Sequence, residues 1–124
     1  RDFRELDVWR KAHRVVLDAY RATDALPKSE VFGVTVQLRR AAISIPTRIA
    51  EGCGRDGDVE FAAGLHKARA TASELEYLLL LCLDLGYLPE QTHQELSQEV
   101  VEVRKMMSGL LKHLEGFFGS SYEP

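Results

Sequence analysis

Two short motifs contain residue types that can support chemistry. Gly52-x-Gly54-x-x-Gly57 has the glycine spacing of a dinucleotide-binding loop, but that loop follows a strand within a βαβ unit. A helical pattern precedes Gly52, so a turn between helices is the better interpretation. Glu90-x-x-His93 is half of the di-iron signature of helical bundles, which needs a second copy. No other histidine follows a glutamate at this spacing, so a solvated helix end is favoured over a metal site.

The candidates for nucleophilic or acid–base chemistry have no suitable neighbours. Cys53 stands between two glycines at a predicted helix end, where a thiolate can be stabilised, but no nearby residue can act as its base. His66 is close to the apolar residues Phe61 and Leu65, which favours a partly buried structural histidine. We therefore predict no catalytic residue, no cofactor and no metal ligand. A metal- or small-ligand-binding helical enzyme is the alternative.

Arginine side chains are the remaining candidates for a binding site, because a row of them can bind phosphate groups. Three share one face of the first predicted helix, and two share the polar face of the second. No aromatic residues are interleaved among them to stack on bases, so a solvated surface with ion pairs is the alternative. The predicted nucleic-acid-binding residues are Arg10, Arg14, Arg21, Arg39, Arg40, Arg48 and Arg55.

The formal charge is divided unevenly along the 124 residues, whose net charge is −3. Residues 1–55 contain eleven Lys and Arg and seven Asp and Glu, a net charge of +4, which leaves −7 for the rest. Either the surface of the fold is polarised, or the two halves pair with each other. The negative total argues against a general affinity for nucleic acid.

Hydrophobic periodicity predicts a single all-α domain over residues 1–124. The predicted helices cover residues 6–25, 29–53, 58–85 and 89–115. Because the connections are short, consecutive helices are expected to be antiparallel and to form an up-down-up-down four-helix bundle.

Three stripes of apolar residues are expected to form the core of this bundle. Pro46 lies within the second stripe and is expected to kink that helix without ending it. Ser29 is the predicted cap of the second helix, Asp56 or Asp58 that of the third, and Gly86 is expected to end the third. The stripes are Trp9, Ala12, Val16, Ala19, Thr23 and Leu26, then Thr35, Leu38, Ala42, Ile45, Ile49 and Cys53, and finally Leu96, Val100, Val103, Met107, Leu110, Leu114 and Phe117.

The run Tyr77–Leu83 is apolar on nearly every side of the third helix. One side faces the core, so the other is expected to contact a second chain. The run is far shorter than the roughly 20 residues of a membrane span, and two cysteines without a CxxC motif predict a reducing, cytoplasmic environment. The predicted oligomer interface is Tyr77, Leu78, Leu80 and Leu81.

Five motifs spread over nearly the whole chain resemble one bacterial family. They are Leu6-x-Val8-Trp9-x-Lys11-Ala12, Arg39-Arg40-Ala41-Ala42-Ile43-Ser44-Ile45-Pro46, Ile49-Ala50-Glu51-Gly52-Cys53-Gly54-Arg55, Ser73-Glu74-Leu75-Glu76 and Leu85-Gly86-Tyr87-Leu88. The chain resembles the four-helix-bundle family first noticed as proteins encoded in intervening sequences of 23S ribosomal RNA genes. The accessory proteins of diversity-generating retroelements are similar to the same family.

The resemblance implies a cytosolic bundle without known catalytic activity that assembles into a ring, typically a homopentamer. For the retroelement accessory members it implies binding to a reverse transcriptase and to nucleic acid through a basic surface. This sequence has Arg48 where the family usually has Asn, which either removes a polar contact or enlarges the basic surface. We therefore expect a non-enzymatic oligomeric scaffold that binds a protein or nucleic-acid partner.

Overall fold

Four α-helices and no β-strand make up the part of the chain that the computed structural model describes, residues 2–54 and 57–116. Short 3-10 helices over Phe3–Glu5 and Lys28–Glu30 precede the first two. No helix within the described ranges is both long and apolar enough to cross a bilayer. The helices are α1 Asp7–Thr23, α2 Val34–Cys53, α3 Asp58–Asp84 and α4 Glu90–Glu115.

The four helices form an antiparallel bundle, in which each helix packs against the next and α4 packs back against α1. Side-chain hydrogen bonds show that α3 and α4 are antiparallel. Arg104 of α4 donates to Glu76 of α3, whereas Glu115, later in α4, pairs with His66, which is earlier in α3. The predicted all-α bundle is confirmed, and its cyclic order places the α1–α4 groove on the side opposite the α2–α3 groove.

The predicted core stripe is confirmed for α2 and shifted for α1. All six predicted α2 residues are buried, and the helix continues through Pro46. In α1, Val8 and Val15 are buried, whereas Trp9 and Val16 are only partly buried. In the pairs Val8–Trp9 and Val15–Val16 both residues are apolar, so periodicity does not show which one is buried. The packing of α2 and α4 against α1 determines which residue faces the core.

The core stripe of α4 departs from the predicted heptad in its last turns. Leu111 is buried, whereas Leu110 is only partly buried. An α-helix has 3.6 residues per turn rather than 3.5, so a strict heptad drifts away from the core along a straight helix. The other predicted positions up to Leu114 are buried, and Phe117 lies outside the described residues.

The start of α2 differs from the prediction. Ser29, the predicted cap, lies within the 3-10 helix, and α2 begins at Val34. Gly33 is the N-cap residue, and the Glu30 carboxylate accepts hydrogen bonds from the Val34 N–H at 3.4 Å and from the Tyr87 hydroxyl at 2.8 Å. Glu30 thereby joins the α1–α2 connection to the α3–α4 connection at one end of the bundle.

The end of α3 follows the prediction, whereas its start does not. Gly86 has a φ of +76°, and the Tyr87 N–H donates to the Cys82 carbonyl at 2.8 Å, which is the pattern of a left-handed glycine cap. At the start of α3 the capping residue is Gly57, and Asp58 is the first helical residue. Asp56, the other predicted cap, lies outside the described residues.

Helices α2 and α3 approach closely at two glycines. A Cβ atom on Gly64 would lie 2.7 Å from the carbonyl oxygen of Arg48 and 3.1 Å from the Cα atom of Gly52. Both neighbours are backbone atoms, so a side chain here would require one helix to move. Ala68 and Ala72, which are fully buried, continue this side of α3 with small residues.

Candidate interaction surfaces

One face of α3 is exposed along the length of the helix. Eight positions spaced alternately by four and three residues lie on this face, and all eight are exposed. This spacing is the one by which helices pack against one another. We call these positions the outer seam of α3: Val59, Ala63, His66, Ala70, Ser73, Tyr77, Leu80 and Asp84.

The predicted oligomer interface lies partly on the outer seam of α3. Tyr77 and Leu80 are 60% and 44% exposed, and the neighbouring Leu81 is half-buried. Leu78 is buried within the subunit instead, because one residue after Tyr77 the helix has turned by about 100° towards the core. The small residues of the outer seam, Ala63, Ala70 and Ser73, contribute no strong hydrophobic signal to the sequence, although they follow the same spacing of four and three residues.

The three arginines of α1 are all paired with carboxylates of the same helix. Arg10 contacts Asp7 at 3.2 Å, and Arg14 and Arg21 contact Asp18 at 3.3 and 3.0 Å. Acidic side chains of α4 also share this face of the molecule. A groove of about 300 Å³ between the two helices is lined by Arg10, Lys11, Arg14, Glu99 and Glu102.

Glu99 of α4 lies close to Asp18 of α1, where these two helices pack together. Burial raises the pKa of Glu99 to about 7, and a hydrogen bond with Asp18 and the charges of Asp18 and Glu102 act in the same direction, against Arg14. Lys11 forms an ion pair with Glu102 nearby. The cations of α1 are therefore balanced by carboxylates that oppose phosphate binding.

Arg39 ties α2 to the end of α1. Its guanidinium donates to the Thr23 hydroxyl at 2.8 Å and to the Asp24 carboxylate at 3.1 Å, and it stacks 4.4 Å from the centre of the Tyr20 ring. The Arg39 side chain is only 26% exposed. These contacts fit a structural role for Arg39.

Replacing Arg39 with methionine is expected to lower the free energy of unfolding by about 1.5–3 kcal/mol, because hydrogen bonds to a charged group are lost. Lys105→Met is the matched control. Lys105 is exposed and makes no hydrogen bond or ion pair with any residue that the structure describes, so its effect should stay within about 0.5 kcal/mol. Urea unfolding of both variants measures the difference, and equal losses would contradict a structural role for Arg39.

The arginines of α2 do not join those of α1 in one patch. Arg48 pairs with Glu51 at 3.5 Å and lines a cleft of about 340 Å³ between α2 and α3, together with Lys67. This cleft lies on the side of the bundle opposite the α1–α4 groove. Arg55 lies outside the described residues. The predicted nucleic-acid-binding residues are thus separated, and Arg39 is engaged within the fold.

Apolar side chains are exposed where α1 meets α2. Leu17 and Tyr20 of α1 are 40% and 38% exposed, and Ile43 of α2 is 41% exposed. Arg39 stacks on Tyr20, and Ile43 lies one helical turn beyond Arg39, so these side chains share one surface. With the exposed Arg40 they form what we call the α1–α2 face, defined by Leu17, Tyr20, Arg40 and Ile43.

The histidines singled out in the sequence lie at the helix surface. Glu90 and His93 line an open groove of about 720 Å³ along α4, and His93 Nε2 is 3.2 Å from the Ser97 hydroxyl. His66 is exposed rather than partly buried, and its Nε2 is 3.0 Å from the Glu115 carboxylate. Among residues 2–54 and 57–116, no group of three or more His, Cys, Asp or Glu side chains is placed to hold a metal ion.

Both cysteines are buried in the core, and no disulfide joins them. Cys53 is 3% exposed, so its position between two glycines does not present the thiol to solvent. Burial, assisted by the charge of Glu30, raises the pKa of the Cys82 thiol. A raised pKa disfavours the thiolate that nucleophilic chemistry requires.

Comparison with known proteins identifies one family and one shared fold. The model of the family described as 23S rRNA-intervening sequence protein matches residues 4–109. A crystal structure of a protein with unknown function from the S23 ribosomal protein family of Bacteroides thetaiotaomicron VPI-5482 has a TM-score of 0.78 and 21% sequence identity, and the match covers 85% of this chain and 98% of that chain. At this identity the likeness shows the fold alone. No curated protein matches the chain.

Proposed function

Because the chain belongs to the 23S rRNA-intervening sequence protein family, we propose that it is a non-enzymatic helical-bundle scaffold that assembles with copies of itself. The outer seam of α3 is the observation that carries this proposal. Its side chains are exposed over most of the helix, although Val59, Tyr77 and Leu80 are large and apolar. Monomeric proteins rarely leave an extended apolar surface uncovered.

The composition of the outer seam suits packing against another helix. Ala63, Ala70 and Ser73 are small, so a neighbouring backbone can approach closely, and Tyr77 and Leu80 supply apolar surface at the other end of the seam. Fully burying a large apolar side chain stabilises a contact by about 1.5–3 kcal/mol. Following the family resemblance, we propose a cytosolic ring and a homopentamer as its stoichiometry.

A protein partner fits the scaffold better than nucleic acid. Five of the predicted nucleic-acid-binding arginines pair with carboxylates of the same chain, and affinity for nucleic acid depends on cations that are free to neutralise phosphates. We therefore propose a protein partner, and the resemblance points to a protein of the reverse-transcriptase type. The five are Arg10, Arg14, Arg21, Arg39 and Arg48.

Titration with RNA is the check on this choice of partner. At about 50 mM salt, we expect no saturable binding, because the acidic side chains of α4 share the face of the α1 arginines. Saturable binding that weakens steeply as salt is raised would favour a nucleic-acid partner instead.

A metal- or small-ligand-binding enzyme is the less favoured function. Glu90 and His93 lie in an open groove on α4, whereas the di-iron proteins of this architecture hold their ligands inside the bundle. Metal analysis of the purified protein tests this alternative directly, and a stoichiometric transition metal would revive it.

Light scattering after size exclusion tests self-assembly. At micromolar concentration, the protein is expected to have a mass of about five times the 14.0 kDa chain. The double variant Tyr77→Glu, Leu80→Glu is expected to have the mass of one chain, because two carboxylates would be buried without partners. Phe32→Glu is the control, since Phe32 is 93% exposed but lies off the outer seam. A wild-type mass of one chain would contradict the proposal.

A further inference from the structure

We infer that neighbouring chains meet through unlike surfaces: the outer seam of α3 of one chain packs on the α1–α2 face of the next. This inference rests on the proposed self-assembly and goes beyond it by naming both surfaces. The occupant of the outer seam is therefore a second copy of this chain in a head-to-tail arrangement.

The two helix pairs carry opposite net charge, and this favours unlike surfaces. Residues 2–54, which contain α1 and α2, have nine Lys and Arg and seven Asp and Glu, a net charge of +2. Residues 57–116, which contain α3 and α4, have five Lys and Arg and ten Asp and Glu, a net charge of −5. A contact between two α3 seams would bring two acidic sides together, whereas a contact between unlike sides joins opposite charges.

Individual charges without partners show the same complementarity. Glu74 and Asp84, beside and within the outer seam, are exposed and form no hydrogen bond or ion pair with any described residue. Arg40 on the α1–α2 face is likewise exposed and lacks such a contact within the described ranges. The side chains of Glu60 and Lys67, exposed at the same heptad position as Glu74, likewise lack such a contact, so the outer seam and its border carry three available carboxylates against one ammonium, whereas the α1–α2 face is cationic.

The apolar parts of the two surfaces also match. The outer seam ends in Tyr77 and Leu80, and the α1–α2 face contains Leu17, Tyr20 and Ile43, which are 38–41% exposed. Each surface therefore combines large apolar side chains with an unpaired charge at its edge. This is the usual composition of a protein interface, with an apolar centre and a polar rim.

The fold places the two surfaces so that head-to-tail contacts can be repeated. α3 is diagonal to α1 in the cyclic order of the bundle, so the outer seam faces away from the α1–α2 contact. A chain that uses one surface keeps the other available. Repetition of such a heterologous contact forms a ring when its rotation closes.

Mixing two blocked variants tests this arrangement. The seam variant carries Tyr77→Glu and Leu80→Glu, and the face variant carries Arg40→Glu and Ile43→Glu. Each alone is expected to have the mass of one chain, because one half of every contact is lost. Mixed in equal amounts, they are expected to form a complex of two chains and no larger species, because each variant supplies one intact surface. All four positions are exposed, and circular dichroism with thermal unfolding is the check that each variant folds.

Three results separate the possible failures. If the face variant assembles like the wild type, the inference is overturned, while the proposed self-assembly stands. If wild-type protein itself has the mass of one chain, the proposed function fails. If both blocked variants are single chains but do not combine on mixing, the pairing of these two surfaces is overturned.

A charge exchange provides a second, independent measurement. At low salt, Arg40→Glu alone is expected to raise the protein concentration at which half of the chains are assembled by at least tenfold. The triple variant Arg40→Glu, Glu74→Arg, Asp84→Arg is expected to recover assembly, because the charges are reversed on both surfaces. If the triple variant assembles no better than Arg40→Glu, the proposed contact between these groups is overturned.

Discussion

Replacing Gly64 with alanine is expected to destabilise the bundle by about 3 kcal/mol, at the upper end of the usual effect of overpacking. The added Cβ atom would lie 2.7 Å from the carbonyl oxygen of Arg48, and 3.1 Å from the Cα atom of Gly52. Neither backbone atom can move without shifting α2, which contributes a large part of the core. A larger side chain such as valine should prevent folding.

Gly109→Ala is the matched control for this prediction. Gly109 lies within α4, and a Cβ atom there would meet nothing within 4 Å. Alanine has the higher helix propensity, so this variant should be more stable than the wild type by about 0.5–1 kcal/mol. Urea unfolding at one protein concentration compares the two, since assembly makes apparent stability depend on concentration. A Gly64→Ala variant as stable as Gly109→Ala would contradict the close approach of α2 and α3.

Much of the fold follows from local features of the sequence. The buried stripe of α2, formed by Leu38, Ala42, Ile45 and Ile49, recurs at spacings of four and three residues, so periodicity identifies it. Gly86 ends α3 because a glycine adopts the left-handed conformation at little cost. Errors occur where two adjacent residues are both apolar, as at Leu110 and Leu111. The packing of the neighbouring helices then determines which of the two residues is buried, and the periodicity of one helix contains no information about where its neighbours lie.

The candidate interaction surfaces were harder to predict than the fold, for two physical reasons. On an isolated helix, the arginines of α1 form a cationic row. In the folded chain, acidic residues of α4 lie beside this row, and one of them, Glu102, pairs with the neighbouring Lys11 although it is 91 positions away in the sequence. Such partners follow from the packing of helices and not from local spacing. The outer seam of α3 was only partly recognised because Ala63 and Ala70 contribute little hydrophobicity. The role that we propose for them depends on the small size of their side chains, which a hydrophobic pattern does not report.

The stability of the bundle is expected to fall as the pH rises from 5 to 8, because of Glu99. Its pKa is raised to about 7 from an ordinary value of 4.5, first by burial and then by its contact with Asp18. The folded chain therefore holds a proton on Glu99 at pH values where the unfolded chain has lost it. The associated stabilisation is complete below the unfolded pKa and is lost as the pH rises through 7. A shift of this size corresponds to roughly 3 kcal/mol, and solvent screening at this partly exposed site reduces the expected effect to about 1–2 kcal/mol.

Glu99→Gln removes the titration while keeping a side chain that donates a hydrogen bond to Asp18. At pH 8 this variant is expected to be more stable than the wild type by about 1–2 kcal/mol, and near pH 5 the two should be equal, because Glu99 is then protonated. Glu95→Gln, one turn away from Glu99 and exposed, also lies beside Asp18 and Arg14 between α1 and α4; it is the control and should follow the wild-type profile. Arg14 of α1 and Glu102 of α4 also act on Glu99 and in opposite directions, so the profiles are best measured at one ionic strength. Parallel profiles for wild type and Glu99→Gln between pH 5 and 8 would show that Glu99 does not hold a proton in the folded chain.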